Sequence, residues 1–148
     1  SPNDPYYLEL KGQVFSETGR HSEALPFYKK VVKLLPENAL LRAEYGREIL
    51  AQDMPDYNAA MKALRFSTSR EPQNPTSWQL LGQAYSALNQ KGQAALAYAE
   101  TALYKNKPQE AIQQTALALK LLEEGSPARL RAQDLQAEAI RQKNKKDD

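Results

Sequence analysis

Apolar residues recur along most of the chain at helical spacing. In WQLLGQAY, Trp78, Leu81 and Tyr85 stand at i, i+3 and i+7, one stripe of a helix. The run YKKVVKLL has strand-like composition, but helical periodicity and cap residues surround it, so no strand is predicted. Punctuation sets the element ends. Asn3-Asp4-Pro5 and Asn74-Pro75 read as caps followed by a first-turn proline, Thr18-Gly19 and Asn89 as stops, Lys107-Pro108 as a start, and Gly125-Ser126-Pro127 as a stop and a new cap. Gly92 is assigned to the turn that Asn89 opens. Helices are expected near 4–18, 21–34, 37–52, 56–70, 75–88, 91–105, 108–122 and 127–142, with a frayed, solvated tail over 143–148.

Inside this pattern sit glycines that a helix should avoid, at about 1 kcal/mol each relative to alanine. The stretches LELKGQVF, RAEYGREI and WQLLGQAY align on Gly12, Gly46 and Gly82, which lie 34 and then 36 residues apart. Ala24 and Ala94 follow Gly12 and Gly82 by twelve residues, and Tyr28 and Tyr98 follow four further on. Ala60 follows Gly46 by fourteen, so QDMPDYN holds two extra residues. Pro36 and Pro72 close the first two units. The third unit carries the fullest signature: Trp78, Leu81, Gly82, Tyr85, Ala94 and Tyr98. The first has Leu8 and Lys11 at the Trp and Leu places, and the second is the most altered.

This register resembles the tetratricopeptide repeat (TPR), whose period is 34 residues. The resemblance implies an all-α solenoid of helical hairpins, a right-handed superhelix of about eight helices. It gives the glycines a reason: paired helices cross closely there, and the small Ala94 is expected to face the same gap from the second helix. Repeats are expected near 5–36, 39–72 and 75–106. Ala95, Ala99, Ala102, Ala111 and Ala118 keep a loose small-residue spacing, read as a degenerate fourth unit and a capping helix over 107–142, all within one domain, 1–142.

Composition narrows the chemistry. Of 148 residues, 20 are Lys or Arg and 18 Asp or Glu, a net +2 without the clustered basic face that nucleic acid requires. With no cysteine there is no disulfide or thiolate chemistry. No apolar run is long enough to span a membrane. The single histidine, His21, reads as a solvated turn residue, and one histidine cannot supply H-E-x-x-H. The six glycines are isolated and form no phosphate loop. Glu123-Glu124 and Asp147-Asp148 are adjacent and would not face each other on a helix. No catalytic residue, metal ligand or cofactor is expected in this chain.

In the TPR fold the first helix of each pair lines a concave groove. Register on Gly12, Gly46 and Gly82 places Glu9, Gln13, Arg47, Gln79 and Gln83 there, with Tyr6 at the rim. TPR domains that grip the EEVD terminus of chaperones use a Lys/Asn/Asn/Lys/Arg clamp. Glu9, Gln13 and Arg47 occupy corresponding places, so that clamp is absent. A glutamine-rich groove suits the mixed donors and acceptors of extended backbone.

Three stretches, NDPYYLELKGQ, GQAALAYAETAL and EEGSPARLRAQDL, together resemble the C-terminal TPR region of bacterial envelope zinc metallopeptidases, the CAAX-prenyl-protease-like family of BepA type. Arg129 stands where a bulkier or aromatic residue is expected. The resemblance implies an N-terminal protease domain holding zinc through H-E-x-x-H, a Gram-negative periplasmic setting and a role in outer-membrane protein quality control. The opening SPNDPYY, without methionine, fits a segment of such a longer polypeptide. Expected partners are a protein or extended peptide: unfolded outer-membrane protein, the assembly machinery or the parent's own protease domain. The alternative is a free-standing TPR scaffold of a multiprotein envelope or cytoplasmic complex.

Overall fold

The computed structural model describes residues 3–147. Among them are eight α-helices and no strand: α1 (Pro5–Glu17), α2 (His21–Leu34), α3 (Ala39–Leu50), α4 (Tyr57–Arg70), α5 (Pro75–Ala87), α6 (Lys91–Tyr104), α7 (Pro108–Leu121) and α8 (Pro127–Asp147). By internal packing the chain divides into two compact units, Ser1–Glu71 and Pro72–Asp148. In the first, α1 packs on α2, α2 on α3, and α3 on α4. In the second, α6 packs on α5, α7 and α8, and α7 on α8.

Local chemistry sets the helix ends. The side chains of Asp4, Asn38 and Asn74 accept the N–H groups of Tyr6, Leu41 and Thr76 at 2.9, 3.0 and 3.1 Å, opening α1, α3 and α5. These caps repeat at the same 34- and 36-residue intervals as the glycines. Most second helices begin differently. After α1, Gly19 takes φ 76°, its N–H bonds Ser16 O at 3.0 Å, and Arg20 N–H bonds Phe15 O at 2.8 Å. After α5, Asn89 takes φ 60° with matching bonds to Ser86 O and from Gln90 to Tyr85 O. Both are Schellman turns, which satisfy the last carbonyls of one helix and launch the next. The longer α3–α4 turn has no such residue, and Asp56 caps α4 by accepting from Ala59 N–H at 3.0 Å. Its extra residues end α3 at Leu50, short of the span expected from sequence.

The glycines do admit close approach, but to a different neighbour from the one expected. A Cβ on Gly12 would stand 2.8 Å from the Tyr28 ring, one on Gly46 2.7 Å from Leu64, and one on Gly82 2.5 Å from the Tyr98 ring. The covering side chain comes sixteen residues later in the first and third repeats and eighteen later in the second, matching the lengthened turn. Ala94 is buried, yet the atoms over Gly82 belong to Tyr98, so the aromatic signature position closes this gap.

Four further expectations are corrected. Gly92 is not in a turn: it is buried in the first turn of α6, where a Cβ would meet Leu122 at 2.9 Å and the Leu121 backbone at 3.3 Å. His21 is not simply solvated: it begins α2, its Nδ1 lies 2.8 Å from Glu48 Oε2, and its carbonyl accepts from Gln52 at 2.9 Å. Residues 143–147 are helical, continuing α8, and Lys146 Nζ donates to Asn106 O at 2.5 Å. Arg129, where a bulkier or aromatic residue is expected, acts as a cap instead, since its guanidinium donates to the Leu119 and Leu122 carbonyls at the end of α7.

Candidate inner-face binding site

In the first unit, α1 and α3 bring several polar positions together. Gln13, Ser16 and Glu17 from α1, Tyr28 from α2, and Glu44, Arg47 and Glu48 from α3 line one cleft of about 150 Å³. Gln13 and Arg47, predicted to share a groove, do share this cleft. Glu9 adjoins it, half-buried and within hydrogen-bonding reach of Glu44. Tyr6 lies apart, exposed in the first turn of α1.

The cleft floor is acidic. Glu48 is 2% exposed, and its carboxylate is saturated by the Ser16 hydroxyl and His21 Nδ1, which ties α3 to α1 and α2. Glu44 is less provided for. Its Oε2 is buried and accepts no hydrogen bond among the described residues. Burial first, and Glu9 second, push the Glu44 carboxyl above its ordinary pKa, with Arg47 opposing. Tyr28, 4% exposed, holds its phenol against the same charges, and burial, then Glu44, Glu48 and Glu9, drive its pKa up. Glu44 and the cleft-facing role of Tyr28 escape the sequence reading. Register identifies groove positions three before and one after each glycine, whereas Glu44 stands two before Gly46.

The second unit has an inner face of the opposite character. Gln79 on α5, Tyr98, Thr101 and Lys105 on α6, and Gln113 and Gln114 on α7 line a cavity of about 550 Å³, with Lys107 and Glu110 at its edge. Lys105 Nζ donates to Gln79 Oε1 at 3.5 Å. Gln83 stands exposed one turn along α5. Glutamine amides and lysines here offer donors and acceptors without a carboxylate cluster. The α7 glutamines were not foreseen, because the fourth unit has no signature glycine to set its register.

The altered second repeat keeps one function of the signature by other means. The Trp78 indole N–H donates to Pro72 O at 2.7 Å. Arg42, at the same place in the preceding repeat, donates its Nε–H to Pro36 O at 3.0 Å and lays its guanidinium over Phe66, 4.3 Å from the ring centroid. Each fixes the proline-bearing turn to the helix that follows it.

Comparison with known proteins agrees with this geometry. The family profile described as "Tetratricopeptide repeat" matches residues 2–145. No curated protein matches in sequence. A crystal structure of MamA superposes with a TM-score of 0.68 at 24% identity, covering 99% of this chain and 82% of that one. MamA from Desulfovibrio magneticus RS-1 gives 0.66 at 18%, covering 99% and 79%. The first TPR of Spaghetti (RPAP3), bound to the HSP90 peptide SRMEEVD, gives 0.52 at 17%, covering 93% and 90%. At these identities the likeness speaks for fold. The eight helices, the glycines under their covering side chains and the profile match lead to one conclusion: the chain belongs to the tetratricopeptide-repeat family, a helical-hairpin solenoid fold suited to protein binding.

Proposed function

We propose that this chain is the recognition module of a periplasmic zinc metallopeptidase, holding an extended protein segment against the first helices of its hairpins. The observation that carries the binding reading is the meeting of Gln13 and Arg47 in one cleft between α1 and α3. Peptide N–H and C=O groups lose water on binding and need replacement partners, which glutamine amides and a guanidinium supply. The TPR of Spaghetti solved with an HSP90 peptide is a precedent for the fold, not for the ligand. An acidic terminus is a poor occupant here, because Glu9 and Glu44 stand where it would need cations. The metallopeptidase context rests on the likeness of NDPYYLELKGQ, GQAALAYAETAL and EEGSPARLRAQDL. Unfolded outer-membrane protein and the parent's own protease domain are the occupants it favours.

Filling the cleft tests the binding reading. Gln13→Trp should weaken binding of denatured outer-membrane protein and of the protease domain at least tenfold without changing the helical circular dichroism signal. An exposed α4 control, Lys62→Trp, should leave binding intact. Equal binding by both variants would move the site elsewhere. An H-E-x-x-H helix encoded upstream of Ser1 supports the metallopeptidase context, and its absence favours the free-standing scaffold.

A further inference from the structure

We propose that an outer stripe of α1 is the docking surface for the second helix of one more TPR hairpin, supplied by the same polypeptide upstream of Ser1. The inference does not depend on the protease reading, because it concerns only how the repeats continue. Tyr7, Leu10 and Val14 stand five and two residues before Gly12 and two after it. Their i, i+3, i+7 spacing puts them on one face of α1, and they are 44, 59 and 54% exposed. The same three places around Gly46 are Leu41, Glu44 and Glu48 of α3. There the preceding hairpin covers the stripe. Leu41 is 5% exposed and packs with Leu8, Val31 and Phe27. Glu48 is held by Ser16 and His21, and Glu44 is half-buried beside Glu9. Tyr6 and its α3 counterpart Leu40 are both exposed, so that place lies outside the covered stripe in either helix.

Two observations say what covers the α1 stripe. The first is its chemistry. A terminal repeat of a solenoid needs a polar outer face, yet α1 presents three large side chains with one hydroxyl among them. Where α3 carries two carboxylates that take polar partners, α1 carries leucine and valine, so its occupant is an apolar helix face. The second is register. Pro2 stands 34 residues before Pro36, which stands 36 before Pro72, and these are the intervals of the glycines. Pro36 and Pro72 each close a repeat, and a capping asparagine, Asn38 or Asn74, follows two residues later. Pro2 is followed at the same offset by the cap Asp4. The sequence Ser1-Pro2-Asn3-Asp4 therefore reads as the closing turn of a repeat that precedes α1. A helix ending at that turn meets α1 as α2, ending at Leu34, meets α3. Head-to-tail contact with a second copy would need no such turn.

Cysteine accessibility in the parent polypeptide tests this. The chain from Ser1 to Asp148 has no cysteine, so each substitution reports one site, read by mass spectrometry of its own peptide. Leu10→Cys and Val14→Cys should react with a maleimide roughly tenfold or more slowly in the parent than in the chain beginning at Ser1, because a packed helix must open before they react. Tyr6→Cys should react equally in both. Photo-reactive p-benzoylphenylalanine in place of Tyr7 of the parent should cross-link within the one repeat, about 34 residues, that precedes Ser1. Equal labelling of Leu10→Cys and Val14→Cys in the two chains overturns the inference. So does a cross-link to a more distant region of the parent or to a second copy, since either is a different cover for the stripe. No cross-link, or a parent with no segment before Ser1, overturns it as well. None of these results bears on the protease reading, which is decided by the presence or absence of an upstream H-E-x-x-H helix.

Discussion

The two units use the same repeat signature to build different interiors. The first is held by larger side chains, with Leu8, Val31 and Leu41 packed against Phe27, and with Leu64 filling the space over Gly46. The second is an alanine interior. Ala99, Ala102, Ala111 and Ala139 cluster around Leu103 and Leu135, and Ala95, Ala118 and Ala132 form a second cluster. The cause is the position of α6, which packs against α5, α7 and α8 together. A helix enclosed on several sides admits its neighbours only through small residues, so its buried positions spread around the cylinder instead of forming one stripe. Both units also bury a glutamate that bridges helices. Glu48 is held by Ser16 and His21, while Glu100, 3% exposed, meets Arg131 of α8 at 2.8 and 3.2 Å. Repeat identity therefore does not dictate repeat packing; the number of neighbours a helix must accept does.

The buried glutamates give the sharpest way to break this comparison. Arg131→Ala strands Glu100 inside the second unit, and removing one partner of a buried pair typically costs about 3–5 kcal/mol. The half-exposed Arg131 site lets water reach the vacated position, so we expect the lower end of that range. Trp78, the only tryptophan, lies in this unit, and its fluorescence melt should show the loss. A shift of less than a degree would mean that water replaces the pair and that α8 is anchored by its alanines alone.

Overpacking at the glycines comes next, at about 1–3 kcal/mol for each substitution. Gly46→Leu should exceed Gly82→Leu. Leu64 is fully buried and cannot retreat, whereas the half-buried Tyr98 ring can tilt toward solvent. Gly92→Leu should resemble Gly82→Leu, because Leu122 and the α7 backbone close over it. Chemical denaturation that ranks Gly82→Leu worst would show that the aromatic cover is the more rigid one.

Smaller effects separate the two ways of fixing the proline turns. Trp78→Phe removes the indole donor along with part of the ring, and the hydrogen bond alone is worth about 0.5–1.5 kcal/mol. Arg42→Met removes the equivalent donor from the first unit together with its contact over Phe66, and should cost at least as much. If Arg42→Met is silent while Trp78→Phe is not, the altered repeat does not need its turn fixed.

The smallest expected effect carries a pH signature. Glu44 faces Glu9, Glu48, Arg47 and Tyr28, and its folded pKa lies above its unfolded one. The native state thus binds its proton more tightly. The stability this adds is complete below the unfolded value and is lost as pH rises through the folded value. Glu44→Gln should therefore raise Tm slightly at neutral pH and match the parent below about pH 4, where both groups are neutral. A lower Tm at pH 7 would mean that Arg47 stabilises the carboxylate more than burial and Glu9 disfavour it.

Much of the fold is legible from the residues themselves, because its determinants are local. Asp4, Asn38 and Asn74 cap helices through bonds spanning two or three residues, Gly19 and Asn89 supply positive φ, and Gly12, Gly46 and Gly82 mark close crossings by having no side chain. Of the candidate site, register reaches only the placement of Gln13 and Arg47 beside one another in one cleft. What packs on each feature depends on residues distant in sequence, and only the tertiary structure decided it. Tyr98 rather than Ala94 closes over Gly82, Gly92 lies under Leu122, and His21 finds Glu48. The charge of each inner face was settled the same way. Glu9 and Glu44 are unremarkable carboxylates along the chain, and they become a half-buried, mutually opposed pair only because α1 and α3 bring them together.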